Sequence, residues 1–207
     1  MKLLEMKKIG CALVAAAGLL AAPSGSALAQ GVKNSVNIAI ASLPGVGGTT
    51  ATMGMLEYER LVLDKLSVFG RASSLKYKWD DGNDFEDGKG TGIGVGTRFF
   101  PQGGLKGFYI GAAIAAFNST WDWTDDKGKS FEKRGDGESS AIQWGGELGY
   151  RFNLGSDRVS VTPAFNFGSW LGGDNTCRQT SAPAGNCNRE SELGFYAVIS
   201  VALGIAF

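Results

Sequence analysis

The sequence predicts an all-β protein, an eight-stranded antiparallel transmembrane β-barrel, and three observations carry that prediction. The first is the ending SELGFYAVISVALGIAF, in which Leu193, Phe195, Ala197, Ile199, Val201, Leu203, Ile205 and Phe207 alternate mostly with small residues. A strand with one face in a core and one in water alternates apolar with polar. Here the second face is mostly small, with Gly194, Ser200, Ala202, Gly204 and Ala206, which suits lipid on one side and a tight interior on the other. The second is glycine: 32 of 207 residues, recurring inside strand-like stretches such as GTGIGVGTRFF and QWGGELGYRF. The usual share is about 7%. Glycine weakens an ordinary strand, so alternate glycines mark a crowded face, such as the inside of a narrow barrel. The third is an alternation of tight turns with long polar loops, set out below.

At the start of the chain, Lys2, Lys7 and Lys8 precede an apolar run from Ile9 to Ala22 and a small-residue stretch closing on Ala27-Leu28-Ala29. That order is expected of a secretory signal peptide over 1–29, leaving a barrel domain at 30–207. The run is shorter than the roughly 20 apolar residues that span a bilayer, and Cys11, ahead of most of it, leaves with the leader. No later stretch is continuously apolar for that length, so a membrane span has to be built from strands. Removing Lys2, Lys7, Lys8 and Glu5 from the 20 basic and 20 acidic residues leaves 17 and 19. That balance lacks the concentrated basic face of a nucleic-acid binder.

Eight strand segments follow, at about 33–42, 50–61, 65–79, 91–100, 107–121, 140–153, 158–171 and 191–207, with no helix among them. LVLDK, PQGGLK and LGSD read as tight turns; WDDGNDFEDGKG, DWTDDKGKSFEKRGDGESS and GGDNTCRQTSAPAGNCNRES read as long polar loops. The first connection, LPGVGG, is short. Long loops at one end and short turns at the other characterise outer-membrane barrels, the long loops facing outside.

Parity assigns the faces. In the sixth strand Ile142, Trp144, Leu148, Tyr150 and Phe152 oppose Gln143, Glu147, Arg151 and Asn153; in the seventh Val159, Val161, Pro163, Phe165 and Phe167 oppose Ser160, Thr162, Ala164 and Asn166. In the fourth Ile93, Val95 and Phe99 oppose Gly92, Gly94, Gly96 and Arg98, and in the second Leu56 and Tyr58 oppose Glu57 and Glu59. The third strand predicts a slip near Ser73-Ser74, as at a bulge, and the fifth, FYIGAAIAAF, is too apolar to assign. Aromatics sort to the strand ends: Tyr77, Trp79, Trp121, Trp123 and Trp170 by the long loops, and Tyr58, Phe99, Phe100, Phe108, Tyr109, Tyr150, Phe152 and Phe207 by the short turns or the terminus. Two such belts are expected at the two membrane–water interfaces.

The terminal Phe207 with alternating hydrophobes before it, together with GTRFFPQGGLKGFYIGAAIAAF, resembles the small eight-stranded outer-membrane barrels of Gram-negative bacteria, the OmpA/OmpX-like group and related porin-like families of unknown function. The resemblance covers essentially all of 31–207. It implies a place in the bacterial outer membrane among its lipids, and Phe207 as the signal read by the barrel-assembly machinery. The long loops are then the surface open to an extracellular partner.

The chain has no histidine. Serine–histidine catalysis, the route of outer-membrane deacylases and phospholipases, therefore lacks its base, and the chain departs from palmitoyltransferase-type barrels at the same point. No cofactor motif is present, and no ligand cluster has metal spacing. DDGNDFEDGKG and DWTDDKGK share only composition with calcium loops, lacking the D-x-[DN]-x-[DN]-G order. The expectation is a protein that is not an enzyme. Cys177 and Cys187, in the last long loop, read as a disulfide in an exported chain, able to contribute on the order of 3 kcal/mol to an ordered loop.

By parity Glu57, Glu59, Arg71, Arg98, Glu147 and Arg151 point into the barrel, three acidic and three basic. An eight-stranded barrel is just wide enough for side chains to fill it, and an unpaired ion there is costly. The same six residues serve two readings: a packed polar plug, the preferred one, or a narrow gated path in which Glu–Arg pairs exchange partners. The first makes the protein a structural or surface-interaction barrel, the second a porin-like channel for ions or small solutes. An exported soluble barrel with a ligand inside needs the opposite parity.

Overall fold

The computed structural model describes residues 33–46, 49–155, 158–171, 175–187 and 195–207; the leader expected at 1–29 and parts of the first and last loops lie outside them. Among the described residues there are ten strands and no helix long and apolar enough to cross a membrane. The strands are β1 (Asn34–Val46), β2 (Thr49–Leu63), β3 (Leu66–Asp80), β4 (Phe85–Phe99), β5 (Gly107–Asp125), β6 (Lys133–Leu154), β7 (Val159–Leu171), β8 (Asn175–Gln179), β9 (Gly185–Asn186) and β10 (Phe195–Ala206). Eight of them, β1 to β7 and β10, form an antiparallel ring, each paired with its sequence neighbour, β7 with β10, and β10 with β1. The ring closes where Asn34 and Phe207 exchange backbone hydrogen bonds of 3.1 and 2.9 Å. From Ser35–Ala206 to Ser42–Ile199 the first and last strands are paired, so over that height the ring has no open edge, the condition for crossing a membrane with strands.

The wall is taller than the sequence predicts. β4 starts at Phe85 instead of 91, β5 runs to Asp125, and β6 starts at Lys133 instead of 140. What reads as a twelve-residue loop at WDDGNDFEDGKG is a tight hairpin. The Asp81 carboxylate accepts the N–H groups of Asp84 at 2.7 Å and Asn83 at 2.9 Å, which hold its pKa below the usual carboxylate range. Polar and glycine-rich sequence suggests a loop; here the ladder with β3 and β5 overrides that preference. The last long loop likewise contains structure, since β8 continues the wall on the top of β6, Gly135–Ser139 pairing with Asn175–Gln179, above the point where β7 ends opposite Ile142.

The outward surface changes in rows. Ile38, Leu56, Ala72, Ile93, Ala116, Ile142 and Leu171 lie in one cross-strand row, and exposed Ile110, Leu148, Phe152, Val201 and Leu203 belong to the same apolar band. The row above is Gly54, Ser74, Thr91, Asn118 and Ser140, and the next is Thr52, Lys76, Lys89, Thr120 and Glu138. Apolar outside and charged inside is the inverse of a soluble barrel and matches a lipid-facing wall.

This geometry decides three points that the sequence leaves misread or open. The parity of β3 does not slip: its register with β2 and β4 is continuous through Ser73 and Ser74, so Leu75 and Tyr77 stay on the inward side. The face of β5 is settled, with Phe108, Ile110 and Ile114 exposed and Tyr109, Phe117, Trp121 and Trp123 buried. The third concerns the aromatic belts. At the turn end Phe99, Phe108, Tyr150, Phe152 and Phe207 are exposed as expected, but Phe100 and Tyr109 turn inward. At the loop end Trp121 and Trp123 are buried, and Trp170 faces Phe117 and Tyr196 inside the barrel. The cause is the row pattern. Above the hydroxyl row the outside of the wall meets water, and the interior is the only dry place for a large ring.

Candidate functional site

The barrel interior is filled in layers, and six of its aromatic rings each lie over a glycine of a neighbouring strand. Phe69 opposes Gly96, Tyr77 opposes Gly88, Phe117 opposes Gly92, Tyr109 opposes Gly149, Trp121 opposes Gly137 and Trp123 opposes Gly135. A methyl group on any of these glycines would collide with the ring. The alternate glycines of β4 and β6 are therefore sockets, and the pairing is the cross-strand rescue of glycine by aromatic cover.

At the turn end the mouth is closed. Phe100, Leu105, Tyr109 and Ala164 form a buried cluster with Leu61 packed against it. Leu105 comes from the β4–β5 turn, which is fastened to the β2–β3 turn by Phe100 N–H to Lys65 O and Gly104 N–H to Asp64 O, both 2.7 Å.

Above this floor the six expected lumen residues meet in one cluster. Arg71 donates to Glu57 at 2.8 Å and to Glu147 at 3.0 Å. Arg98 bonds Glu57 and Glu147 and lies 3.1 Å from Glu59. Arg151 bonds Glu59 at 2.5 Å. Glu59 is fully buried, Glu57, Arg98, Glu147 and Arg151 nearly so, and Arg71 is the most accessible, its side chain 17% exposed. The backbone explains how residues on β2, β3, β4 and β6 converge. Glu57 is directly opposite Arg71, and Gly111 separates Arg98 from Glu147 in register. A Cβ on Gly111 would stand 3.1 Å from Arg98 Cγ and 3.3 Å from Glu147 Cγ, so glycine there lets the pair join across β5.

Remaining lone pairs are taken by neutral groups that sequence reading did not single out. Asn37 donates to Glu57 at 3.0 Å, Ser67 to Glu59 at 2.6 Å, and Ser35 to Glu59 at 3.4 Å. Guanidinium planes lie over rings: Arg98 is 4.2 Å from the Phe69 centroid and 5.1 Å from Tyr109, and Arg151 is 5.4 Å from Phe100. The signal that could have found Phe69 and Tyr109 is their parity with Arg71 and Gly111 on their own strands. Two small cavities, of about 20 and 30 Å³, flank the Arg71–Glu147 pair. Each has room for one or two waters. Asn37 Oδ1 and Arg151 Nη1, buried without a protein partner, belong to residues lining the first.

The loop end is capped by a second cluster in which Trp121 and Trp123 pack with Cys177, Tyr77 and Cys187. Cys177 and Cys187 form a disulfide across the β8–β9 hairpin, Cα–Cα 5.1 Å. The bridge closes a loop of separation 10, worth on the order of 3 kcal/mol by chain entropy. Replacing both cysteines by serine is expected to leave the barrel folded while raising protease cleavage in 175–187 by about a hundredfold and red-shifting tryptophan emission. Unchanged cleavage and emission would show that the cap is held by β6 alone. Among the described residues no group of three or more acidic or cysteine side chains is placed to hold a metal.

No protein-family model matches the chain, and no curated protein matches it in sequence. Solved structures do match. A major outer membrane protein from Thermus thermophilus aligns over 83% of this chain and 99% of its own, with 10% identity and a TM-score of 0.51. CarO2 of Acinetobacter baumannii aligns over 86% and 100%, with 9% identity and a TM-score of 0.49. OprG of Pseudomonas aeruginosa aligns over 85% and 96%, with 14% identity and a TM-score of 0.44. The chain has the fold of a small bacterial outer-membrane β-barrel.

Proposed function

We propose that this chain is a closed barrel of the bacterial outer membrane, not an enzyme, with a structural or surface-interaction role exercised through its loop end. In this reading residues 1–29 are removed on export, Phe207 is the signal for the assembly machinery, and the loop end faces outside the cell. The observation that carries the reading is the filled lumen: three carboxylates neutralised by three guanidiniums, between a floor at Phe100 and Leu105 and a cap at Trp121 and Trp123. Such an interior holds the wall's shape without offering a path.

The test is single-channel recording of residues 30–207, refolded in detergent and inserted in a planar bilayer. A folded, inserted barrel is expected to remain silent. Arg151→Ala, which leaves Glu59 short of its partner, is expected to loosen the barrel or open leakage. Discrete, reproducible steps from the unaltered chain would overturn the closed reading in favour of a narrow channel. The two water-sized cavities meeting at Arg71 and Glu147 support that alternative, and the six charges would then set selectivity.

A further inference from the structure

On the outer surface, two rows above the apolar row, Lys76 of β3 stands directly opposite Lys89 of β4. Opposed side chains in an antiparallel ladder have Cβ atoms about 4.5–5.5 Å apart, and like charges at that spacing destabilise the pair. Both lysines are exposed on the wall's outer face. Asp87, two residues from Lys89 on that face, is already bonded to Lys78 at 3.3 Å. Among the described residues neither Lys76 nor Lys89 makes an ion pair. The row continues to hydroxyls on both sides, Thr52 beside Lys76 and Thr120 beside Lys89.

We propose that Lys76 and Lys89, with the flanking threonine hydroxyls, form a binding site for the phosphoryl group of an anionic lipid at the loop-end rim of the membrane. A phosphoryl group has the charge that relieves the repulsion and oxygens that accept from ammonium and hydroxyl donors. The rows commit the site to a lipid: directly below the lysines lie Ser74 and Thr91, and below those Ala72 and Ile93, where acyl chains would lie. A head group above and a chain below match that order. The site rests on the reading that the apolar band lies in lipid.

The experiment is native mass spectrometry of residues 30–207 released from nanodiscs containing equal phosphatidylcholine and phosphatidic acid. A lysine at an anionic lipid surface contributes about fivefold. Wild type is expected to retain phosphatidic acid over phosphatidylcholine by roughly tenfold or more, Lys76→Gln/Lys89→Gln to lose that preference, and Lys65→Gln/Lys106→Gln, at the turn end, to keep it. Equal loss in both variants, or in neither, would overturn the site.

Thermal unfolding supplies an independent sign. Lys89→Gln should raise the melting temperature in pure phosphatidylcholine, where only repulsion is removed, and lower it with phosphatidic acid; one sign in both lipids would refute the proposal. If inorganic phosphate in phosphatidylcholine discs stabilises wild type as much as phosphatidic acid does, the lipid assignment falls. A chain that inserts but shows no preference defeats this site alone, whereas one that does not insert defeats the membrane reading with it.

Discussion

Replacing Arg98 by methionine is expected to destabilise the barrel by about 3–5 kcal/mol, the cost of removing one partner from a buried ionic cluster. Arg98 meets all three lumen carboxylates, Glu57, Glu59 and Glu147, and methionine fills similar space between Phe69 and Tyr109 without the charge. Three carboxylates then face two guanidiniums, out of reach of bulk water. The measurement is the urea midpoint in lipid vesicles, read by the gel shift between folded and heat-unfolded forms. The double change Arg98→Met/Glu147→Gln restores charge balance and should recover much of the loss. A midpoint unaltered in Arg98→Met would mean that the cluster does not hold the wall together, and that steric filling alone does.

The second large effect is expected at a socket. Gly96→Val places carbon against the Phe69 ring and 2.5 Å from the Ala112 carbonyl oxygen. The ring could turn, but the carbonyl belongs to the ladder with β5. Overpacking of this kind costs about 1–3 kcal/mol and occasionally more; collision with backbone favours the upper end, and Phe69 is pushed off Arg98 as well. Gly54→Val is the matched control, on the outer face with nothing within 4 Å of an added carbon. Gly54→Val should be neutral or slightly stabilising, while Gly96→Val should lower the yield of folded barrel and its urea midpoint. If the two behave alike, the glycines are not sockets and their spacing has another cause.

The facing of most strands was legible because side-chain alternation is local: Glu147 and Arg151 opposite Trp144, Leu148 and Tyr150 need no tertiary knowledge to be read as two faces. The candidate lumen residues were legible for the same reason, since charge on the small-residue face of an otherwise apolar strand stands out. Less legible was β5, where Ala112 and Ala116 face out and Ala113 and Ala115 face in. Methyl groups of one size on both faces carry no contrast. The tryptophans misled because their place in the chain, near polar loops, says how high they sit on the wall but not which way they point.

Single strands and their order were enough to reveal the class of protein: grease turned outward, glycine and paired charge turned inward, and turns alternating with longer connections. Pairing between strands could not be read that way, because a register is a relation between distant segments. Register alone sets Phe69 over Gly96 and Trp121 over Gly137, brings Arg98 past Gly111 to Glu147, and stands Lys76 against Lys89. The height of the wall is a product of the same pairing. Asp87, Lys89 and Glu138 are poor strand formers singly, but a ladder supported on both sides holds them extended, with their charges in water and the rings across the wall kept dry.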